Sequence, residues 1–271
     1  MNYTNVDYDI TIIEIKEEDN INNYLELDDI IINNVLNNKN YNKEYINNTV
    51  YIIQYPENNL SVSYGILDKI YEDKEYNFNH KCSTKDGSSG SPILNINNNK
   101  IIGIHKGGTT KYNVGTFLNY PIEEFIEKYN EELLKDFKNK YKLIIKDSKI
   151  NKLDLYWKHL GNEGLKDLSK IEFKELKKLY LYDNIISDIK VLEKAKFNKL
   201  EVLNLADNQI LDINILENIN FIELKELYLY KNKISDIKVL EKVKFNKLEK
   251  LNLDNNQISE KEKATINSKL K

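Results

Sequence analysis

"LKKLYLYDN", residues 176–184, places leucine at its first, fourth and sixth positions and asparagine at its ninth. The same pattern returns as "LEVLNLADN" at 200–208, "LKELYLYKN" at 224–232 and "LEKLNLDNN" at 248–256, a spacing of 24 residues each time. Asn184, Asn208, Asn232 and Asn256 therefore stand in register. The L-x-L core of each unit has the period of a β-strand, so its leucines share one face and the residues between them share the other. A unit this short cannot bury its own leucines and must stack on copies of itself. An asparagine at a fixed place in every unit offers both a donor and an acceptor to backbone groups at each turn. Residues 175–208 and 223–256 are nearly the same text twice, as duplication of a two-repeat unit would leave them.

This is the leucine-rich repeat signature, and an α/β solenoid is expected over 151–271. Upstream, "KLDLYWKHLGNEGLKDLSKI" resembles a divergent repeat with the turn of ribonuclease-inhibitor-like repeats, and it is expected to start or cap the array. The polar tail "SEKEKATINSKLK" reads either as a helical cap or as the place where the array stops. Strand alternation turns Tyr180, Tyr182, Tyr228 and Tyr230 outward onto the concave face, alternating with Asn204, Ala206, Asn252 and Asp254. Tyrosines there are suited to anchoring a protein partner, because they bury much area at low entropic cost. Lys178, Glu226 and Lys250 would modulate the choice at the edge.

The rest of the composition sets limits. A length of 271 residues accommodates two domains, and 41% hydrophobic with 31% charged residues describes a globular chain. A net charge of −3 provides no electrostatic footprint for nucleic acid. No apolar run is long enough to read as a membrane span, and the first residues do not read as a signal peptide. One cysteine, Cys82, fits a reducing compartment, and a cytoplasmic location is expected. No metal and no cofactor are expected. All 40 basic residues are lysine, and Asn, Ile and Tyr are abundant, so runs such as "NVLNNKNYNKEYINN" (34–48) read first as compositional drift in surface loops.

Before residue 150 the period changes. "YDITIIEI", "TVYIIQY", "LSVSYGIL", "SPILNI" and "KIIGIHKGG" are short β-branched and tyrosine-rich runs separated by Asn, Gly or Asp clusters, the pattern of an all-β barrel or sandwich. "YPIEEFIEKYNEELLKDFKNKY" (120–141) then reads as an amphipathic helix, with Pro121 in its first turn and Ile122, Phe125, Ile126 and Tyr129 on one face. The expected division is an all-β domain over 1–130, a helical linker over 131–150 and the repeats over 151–271.

Within the β half, "GSSGSP" (87–92) sits inside "STKDGSSGSPILN" (83–95). A serine nucleophile needs a base to remove its proton, and acyl transfer needs backbone N–H donors for the oxyanion. A tight turn at Gly87 can aim the amides of Gly87 and Ser89 into one hole with Ser89 at its rim. By itself "GSSG" equally reads as a flexible linker; the Pro-Ile-Leu that follows and "KIIGIHKGG" beyond it favour the nucleophile.

The segment matches the G-x-S-G-[GS]-P signature and resembles chymotrypsin-fold (trypsin-like) serine peptidases. Over residues 7–128 the resemblance is to their glutamyl endopeptidase branch. "DYDITIIEI" resembles the strand bearing the family's catalytic aspartate, which would assign that role to Asp9. "VYIIQYPENNLSVSYGILDKI", "CSTKDGSSGSPILNINNNKIIGIHKGG" and "GTFLNYPIEEFIEKY" resemble the strands, nucleophile segment and closing strand with helix that follow. The resemblance implies a six-stranded barrel, the second of the fold's two, with one strand of the first. It makes Ser89 the nucleophile, Gly87 and Ser89 the oxyanion hole, and Thr84 and His105 the pocket for a glutamate before the scissile bond. Lys106, Gly107 and Gly108 would offer backbone to a protein or peptide substrate. Lys106 stands where an aromatic residue is common, and its charge would either strengthen the acid preference or face solvent. Ser88 replaces the aspartate that serves the zymogen switch of secreted relatives.

In this fold the order is His, Asp, Ser, and the residue matched to the aspartate is already number 9. His105 matches the specificity pocket, His80 reads as a surface or strand residue, and His159 as a solenoid-cap residue. The chain is therefore expected to be a serine endopeptidase-like protein with a protein-binding repeat module, inactive as it stands. Two explanations remain open, an incomplete copy of a larger reading frame, which is favoured, or a decayed protease. The competing reading is a repeat-based binding protein carrying a degenerate protease scaffold.

Overall fold

A computed structural model describes residues 2–269, apart from positions 14, 16, 38, 110, 244 and 245. The chain divides into two compact units, Met1–Lys128 and Tyr129–Lys271.

The first unit is organised by period-2 burial. In β3 (Thr49–Gln54) Val50, Ile52 and Gln54 point inward while Thr49, Tyr51 and Ile53 do not. Five further strands follow: β4 (Ser61–Ile70), β5 (Asn77–His80), β6 (Pro92–Asn95), β7 (Ile101–Gly108) and β8 (Asn113–Phe117). They close a barrel in the order β3-β4-β5-β8-β7-β6. Closure is made by β3 against β6, with Ile52 opposite Ile93. All neighbouring pairs are antiparallel. Ile52, Leu67, Phe78, Ile93, Ile102 and Phe117 fill the interior at 0% exposure. Each such side chain removes apolar surface worth about 1.5–3 kcal/mol from water.

The six-stranded barrel agrees with the expectation, but three elements around it were not foreseen. The segment expected to supply one strand forms a hairpin of two, β1 (Asn2–Asn5) with β2 (Ile10–Ile13). Its Tyr3 is buried against the edge of Phe125, ring centroids 6.0 Å apart. Second, the asparagine-rich stretch expected to be surface loop builds helix α1 (Asp29–Asn37) and a 3-10 turn over Asn42–Tyr45. Asn34 and Asn42 are 0% exposed. Asn34 donates to Asn42 at 2.7 Å, and Asn42 donates to Asn119 at 3.2 Å. Buried amides are stable when paired in this way. Third, Asp28 before α1 is a buried carboxylate that accepts from Tyr45 Oη at 2.5 Å, Ile30 N at 2.9 Å, Asn95 Nδ2 at 3.0 Å and Asn98 Nδ2 at 2.9 Å. Burial pushes its pKa up, but these four donors outweigh burial and hold it below the usual carboxylate value.

Helix α2 (Asn119–Lys140) matches the expected 120–141 to within one residue at each end. Its Tyr129, expected on the apolar face, is exposed. The region expected as a linker, 131–150, instead carries Leu134, Phe137, Leu143 and Ile145, all buried in the core of the second unit.

That core belongs to a five-stranded parallel sheet, β9 (Lys152–Asp154), β10 (Lys178–Tyr180), β11 (Val202–Asn204), β12 (Glu226–Tyr228) and β13 (Lys250–Asn252), paired in chain order. Register is constant at 24 residues for the last four strands, with Leu179 opposite Leu203 and Leu203 opposite Leu227. The divergent upstream segment supplies β9 and helix α3 (Gly161–Lys170), so it is the first coil. Later coils return through 3-10 turns at Lys190–Lys194, Asn214–Glu217 and Lys238–Glu241. Each of these is opened by an aspartate, Asp188, Asp212 or Asp236, accepting the backbone N–H two residues on. The tail is helix α4 (Glu260–Lys269), opened by a reciprocal cap in which Ser259 Oγ accepts Glu262 N and Glu262 Oε2 accepts Ser259 N.

The asparagine ladder is present. Asn208 Oδ1 accepts from Asn184 N at 3.0 Å and Ile186 N at 2.9 Å, while its Nδ2 donates to Leu181 O at 2.9 Å in the preceding coil. Asn184, Asn232 and Asn256 repeat the arrangement in their own coils.

Candidate functional site

The 87–92 segment is a turn, and the glycines make it possible. Gly87 has φ +88° and Gly90 φ +85°, a region that side chains other than glycine rarely adopt. The turn is laced to β7 by two backbone bonds, Gly90 N to His105 O at 2.8 Å and His105 N to Ser91 O at 2.9 Å. Ser88 N donates to Lys85 O at 3.1 Å, and Ser88 itself is buried. Ser89 is left exposed on the outside of the turn. Among the described residues, the N–H groups of Gly87 and Ser89 have no protein acceptor.

Ser89 Oγ donates to the backbone carbonyl of Lys106 at 3.0 Å. That carbonyl sits at a shift of register, since β7 pairs His105 with Gly115 but Gly107 with Val114, leaving Lys106 as the extra residue of a bulge. Lys106 is half-buried as a residue, and its ammonium donates to Asp7 O at 2.9 Å in a bond open to solvent. Burial lowers its pKa, opposed by Asp9 and then reinforced by Lys74.

Asp9 is an exposed residue of the β1–β2 turn, at φ +58° with its N–H on Val6 O at 3.2 Å. Its charge reaches Lys106, whose carbonyl holds Ser89. Among the described residues no hydrogen bond joins Asp9 to Ser89.

Beneath the turn, His105 is 3% exposed and His80, on β5, is 0% exposed. His80 is thus a strand residue as expected, but the surface alternative fails. His80 Nε2 lies 3.2 Å from His105 Nδ1. Burial, and then the neighbouring His105, push His80 down to about 4. Burial also lowers His105, against the opposing pull of the Val114 carbonyl. Both rings are therefore neutral near pH 7, and one N–H is shared between them. His80 Nδ1 is buried without a hydrogen-bond partner.

Thr84, half-buried, donates to Asn113 Oδ1 at 2.8 Å, and Asn113 Nδ2 donates to Cys82 O at 2.7 Å. Asn113 is opposite His80 across β5–β8 and opposite Gly108 across β7–β8. A Cβ on Gly108 would stand 2.0 Å from Asn113 Oδ1, so glycine there makes room for the amide. The structure thus gathers Thr84, His105 and Gly108 around Asn113 and His80, two residues that sequence reasoning left out. Asn113 follows a stretch with no apolar periodicity. The signal for His80 was its strand position, which its polar neighbours obscured. Gly107 is half-buried and continues the strand. His159 lies in the first coil as expected, exposed, with its ring 6.1 Å from Trp157.

On the repeat face Tyr180, Tyr182, Tyr228 and Tyr230 are half-buried, opposite in sense to fully buried Leu179, Leu181, Leu227 and Leu229. Lys152 Nζ lies 5.0 Å over the Tyr180 ring and Lys250 Nζ 4.9 Å over Tyr228, whose hydroxyl donates to Glu226. Tyr182 Oη donates to Asp207 at 2.8 Å, and Asp207 in turn accepts from Lys231 at 3.2 Å. The Tyr182 and Tyr230 rings are 6.1 Å apart although a whole coil lies between them, and Ala206 in that coil is 0% exposed. Ala206 lies on the outward face as expected but is covered there, its small side chain letting the flanking rings close over it. Tyr156 of the first coil extends the row, 5.1 Å from Tyr182.

Comparison with known proteins agrees with this division. Residues 3–104 match the trypsin-like peptidase domain family, and residues 174–218 and 222–263 match the leucine-rich repeat family. Among solved structures, an internalin from Listeria monocytogenes is similar at 25% identity and a TM-score of 0.29, over 36% of this chain and 32% of its own. The tobacco vein mottling virus protease is similar at 26% identity and a TM-score of 0.22, over 27% of this chain and 36% of its own. This chain thus spans about a third of the length of each. Internalin C2 from the same bacterium is similar at 19% identity and a TM-score of 0.24, over 47% of this chain and 85% of its own.

Proposed function

We propose that the barrel is a peptide-binding module of the serine endopeptidase type, joined to a protein-binding repeat module, and that no histidine of this chain activates Ser89. The observation carrying this reading is the His80–His105 pair. The barrel's two histidines are buried, bonded to each other at 3.2 Å and held neutral, while the Ser89 hydroxyl donates to a backbone carbonyl. A serine whose proton goes to an amide oxygen stays a hydroxyl, and loss of a triad member costs orders of magnitude in rate. The Gly87 and Ser89 amides would form the oxyanion hole, Asp9 would hold the aspartate position, and the bulged Lys106 with Gly107 and Gly108 would pair with a substrate strand. Thr84, hydrogen-bonded to Asn113, and His105 would line the pocket for a glutamate side chain, since the groups there are neutral and no carboxylate among them attracts lysine or arginine.

The tyrosine row would hold a protein partner. Its hydroxyls and ring faces are already tied down by Asp207, Glu226, Lys152 and Lys250, so little side-chain freedom is lost on binding.

A fluorophosphonate probe tests the first part, with Ser89→Ala as control. No labelling is expected, and labelling at Ser89 would refute the unactivated serine. For specificity, anisotropy with short peptides ending in glutamate, lysine or phenylalanine should favour glutamate, and a preference for either other residue defeats that assignment. For the repeats, a pull-down comparing the wild-type chain with Tyr182→Ala/Tyr230→Ala, both verified by circular dichroism, should lose the partner; unchanged recovery moves the site elsewhere.

A further inference from the structure

Strand β9 is the terminal strand of the parallel sheet, paired on one side with β10. Leu155 N donates to Tyr180 O at 2.9 Å, and Lys178 N donates to Asn151 O at 3.0 Å. By the alternation of a parallel ladder, the peptide groups of Lys152 and Asp154 point the other way, off the edge of the sheet. Such an edge is a ready template for another strand.

A cavity of about 420 Å³ lies along this edge. One wall is β9 and its continuation, Lys152, Leu153, Asp154, Leu155 and Lys158; the other is residues 142–146 with Ile150. The second wall is extended chain, with Leu143 and Ile145 buried and Ile144 between them fully exposed. It has the side-chain alternation of a strand, yet it forms no ladder with β9.

The charge around this slot is one-sided. Lys142, Lys146, Lys152 and Lys158 line it with a single carboxylate, Asp154. Asp154 is taken by Lys152 at 3.7 Å. Lys142, Lys146 and Lys158 have no ion-pair partner among the described residues. Some lysines elsewhere in the repeats are paired across coils, as Lys177 and Lys225 are with Glu201 at 3.0 and 2.8 Å, and Lys247 with Glu223 at 2.6 Å. Unpaired cations around an apolar floor, in a chain of net charge −3, mark a place that complements an acidic ligand.

We infer that the β9 edge groove binds an extended acidic peptide, which adds a strand beside Lys152–Asp154 while its carboxylates meet Lys142, Lys146 and Lys158. The outward peptide groups of β9 select a polypeptide backbone over a phosphate chain, and the leucine and isoleucine floor receives alternate apolar side chains. At about 3.3 Å per residue, three residues of β9 register three to four residues of ligand. This site is separate from the tyrosine face and does not depend on the barrel chemistry.

The test is anisotropy of a fluorescein-labelled peptide of alternating glutamate and valine against the full chain. Saturable binding is expected, weakened at least tenfold in Lys146→Glu/Lys158→Glu and lost when the peptide nitrogens on one edge are methylated. Both lysines are exposed, and circular dichroism verifies that the variant remains folded. Hydrogen exchange should slow at Lys152 and Asp154 on adding the peptide. The inference is overturned by absence of binding, by equal binding of a lysine–valine peptide, by an unchanged double variant, or by undiminished binding of the methylated peptide. A single-stranded RNA that displaces the peptide and is itself lost in the double variant would also overturn it, reassigning the groove to phosphates.

Discussion

The buried His80–His105 pair links the barrel to pH, and the sign follows from which state takes up the proton. Burial lowers His80 from the ordinary 6.5 to about 4 in the folded chain. Between those two values the unfolded chain protonates this imidazole and the folded one does not. Stability linked to His80 is therefore fully present above pH 6.5 and is lost as pH falls towards 4, below which no further loss comes from this ring. At about 1.4 kcal/mol per pH unit, that window corresponds to about 3 kcal/mol. The carboxylate at Asp28 adds its own acid sensitivity, so the effect of the ring is read as a difference between the wild-type chain and His80→Gln. The two units carry separate reporters. Cys82, 1% exposed, lies in the barrel, and Trp157, the single tryptophan, lies in the first coil. Trapping of Cys82 by 4,4′-dithiodipyridine, which reacts at acid pH, across a urea series at pH 7 and pH 4.5 reports barrel opening alone. The wild-type barrel should lose about 2–3 kcal/mol more than the variant over that interval, while the Trp157 transition responds equally in both. Equal acid losses of the barrel in the two proteins would refute the argument, because they would mean that the ring titrates alike folded and unfolded.

Replacing Asp28 with alanine removes the acceptor for Tyr45, Asn95, Asn98 and the first turn of α1, and should cost the barrel about 3–5 kcal/mol by the same thiol-trapping assay, with Tyr45→Phe costing about 1 kcal/mol. Asn208→Ala strands the Asn184 and Ile186 N–H groups inside the solenoid and should cost about 3 kcal/mol in the Trp157-monitored transition. Asn256→Ala, at the outermost of these turns and partly exposed, should cost at least 1 kcal/mol less. Gly108→Ala would put a Cβ 2.0 Å from Asn113 Oδ1, breaking the Thr84–Asn113 bond; binding of a glutamate-ending peptide should fall about tenfold while the thiol-trapping midpoint shifts little.

Repeats and glycine turns were legible in the sequence because local rules govern them. A 24-residue period, leucines at the first, fourth and sixth places and an asparagine at the ninth dictate a stack whatever lies around it, and the observed register follows that spacing coil by coil. Gly87 and Gly90 were legible for a similar reason, since a turn with φ near +85° admits little else. The barrel came through where strands alternate apolar residues, as in β3, and β5 did not, because "NFNH" carries one apolar residue and buries its histidine and asparagine as well. Tertiary contacts alone decided the rest. Whether an asparagine is loop or core depends on what faces it, and Asn34 and Asn42 are core because each is the other's partner. His80 changed from an unremarkable strand residue to the neighbour of His105 because closing the barrel carries residue 80 to residue 105, a relation that no spacing along the chain encodes. Ala206 is covered for the same kind of reason, as rings 24 residues to either side met above it. Periodicity determines which face a side chain takes; the identity of its neighbours, and so its protonation and its chemistry, is settled only when distant strands close.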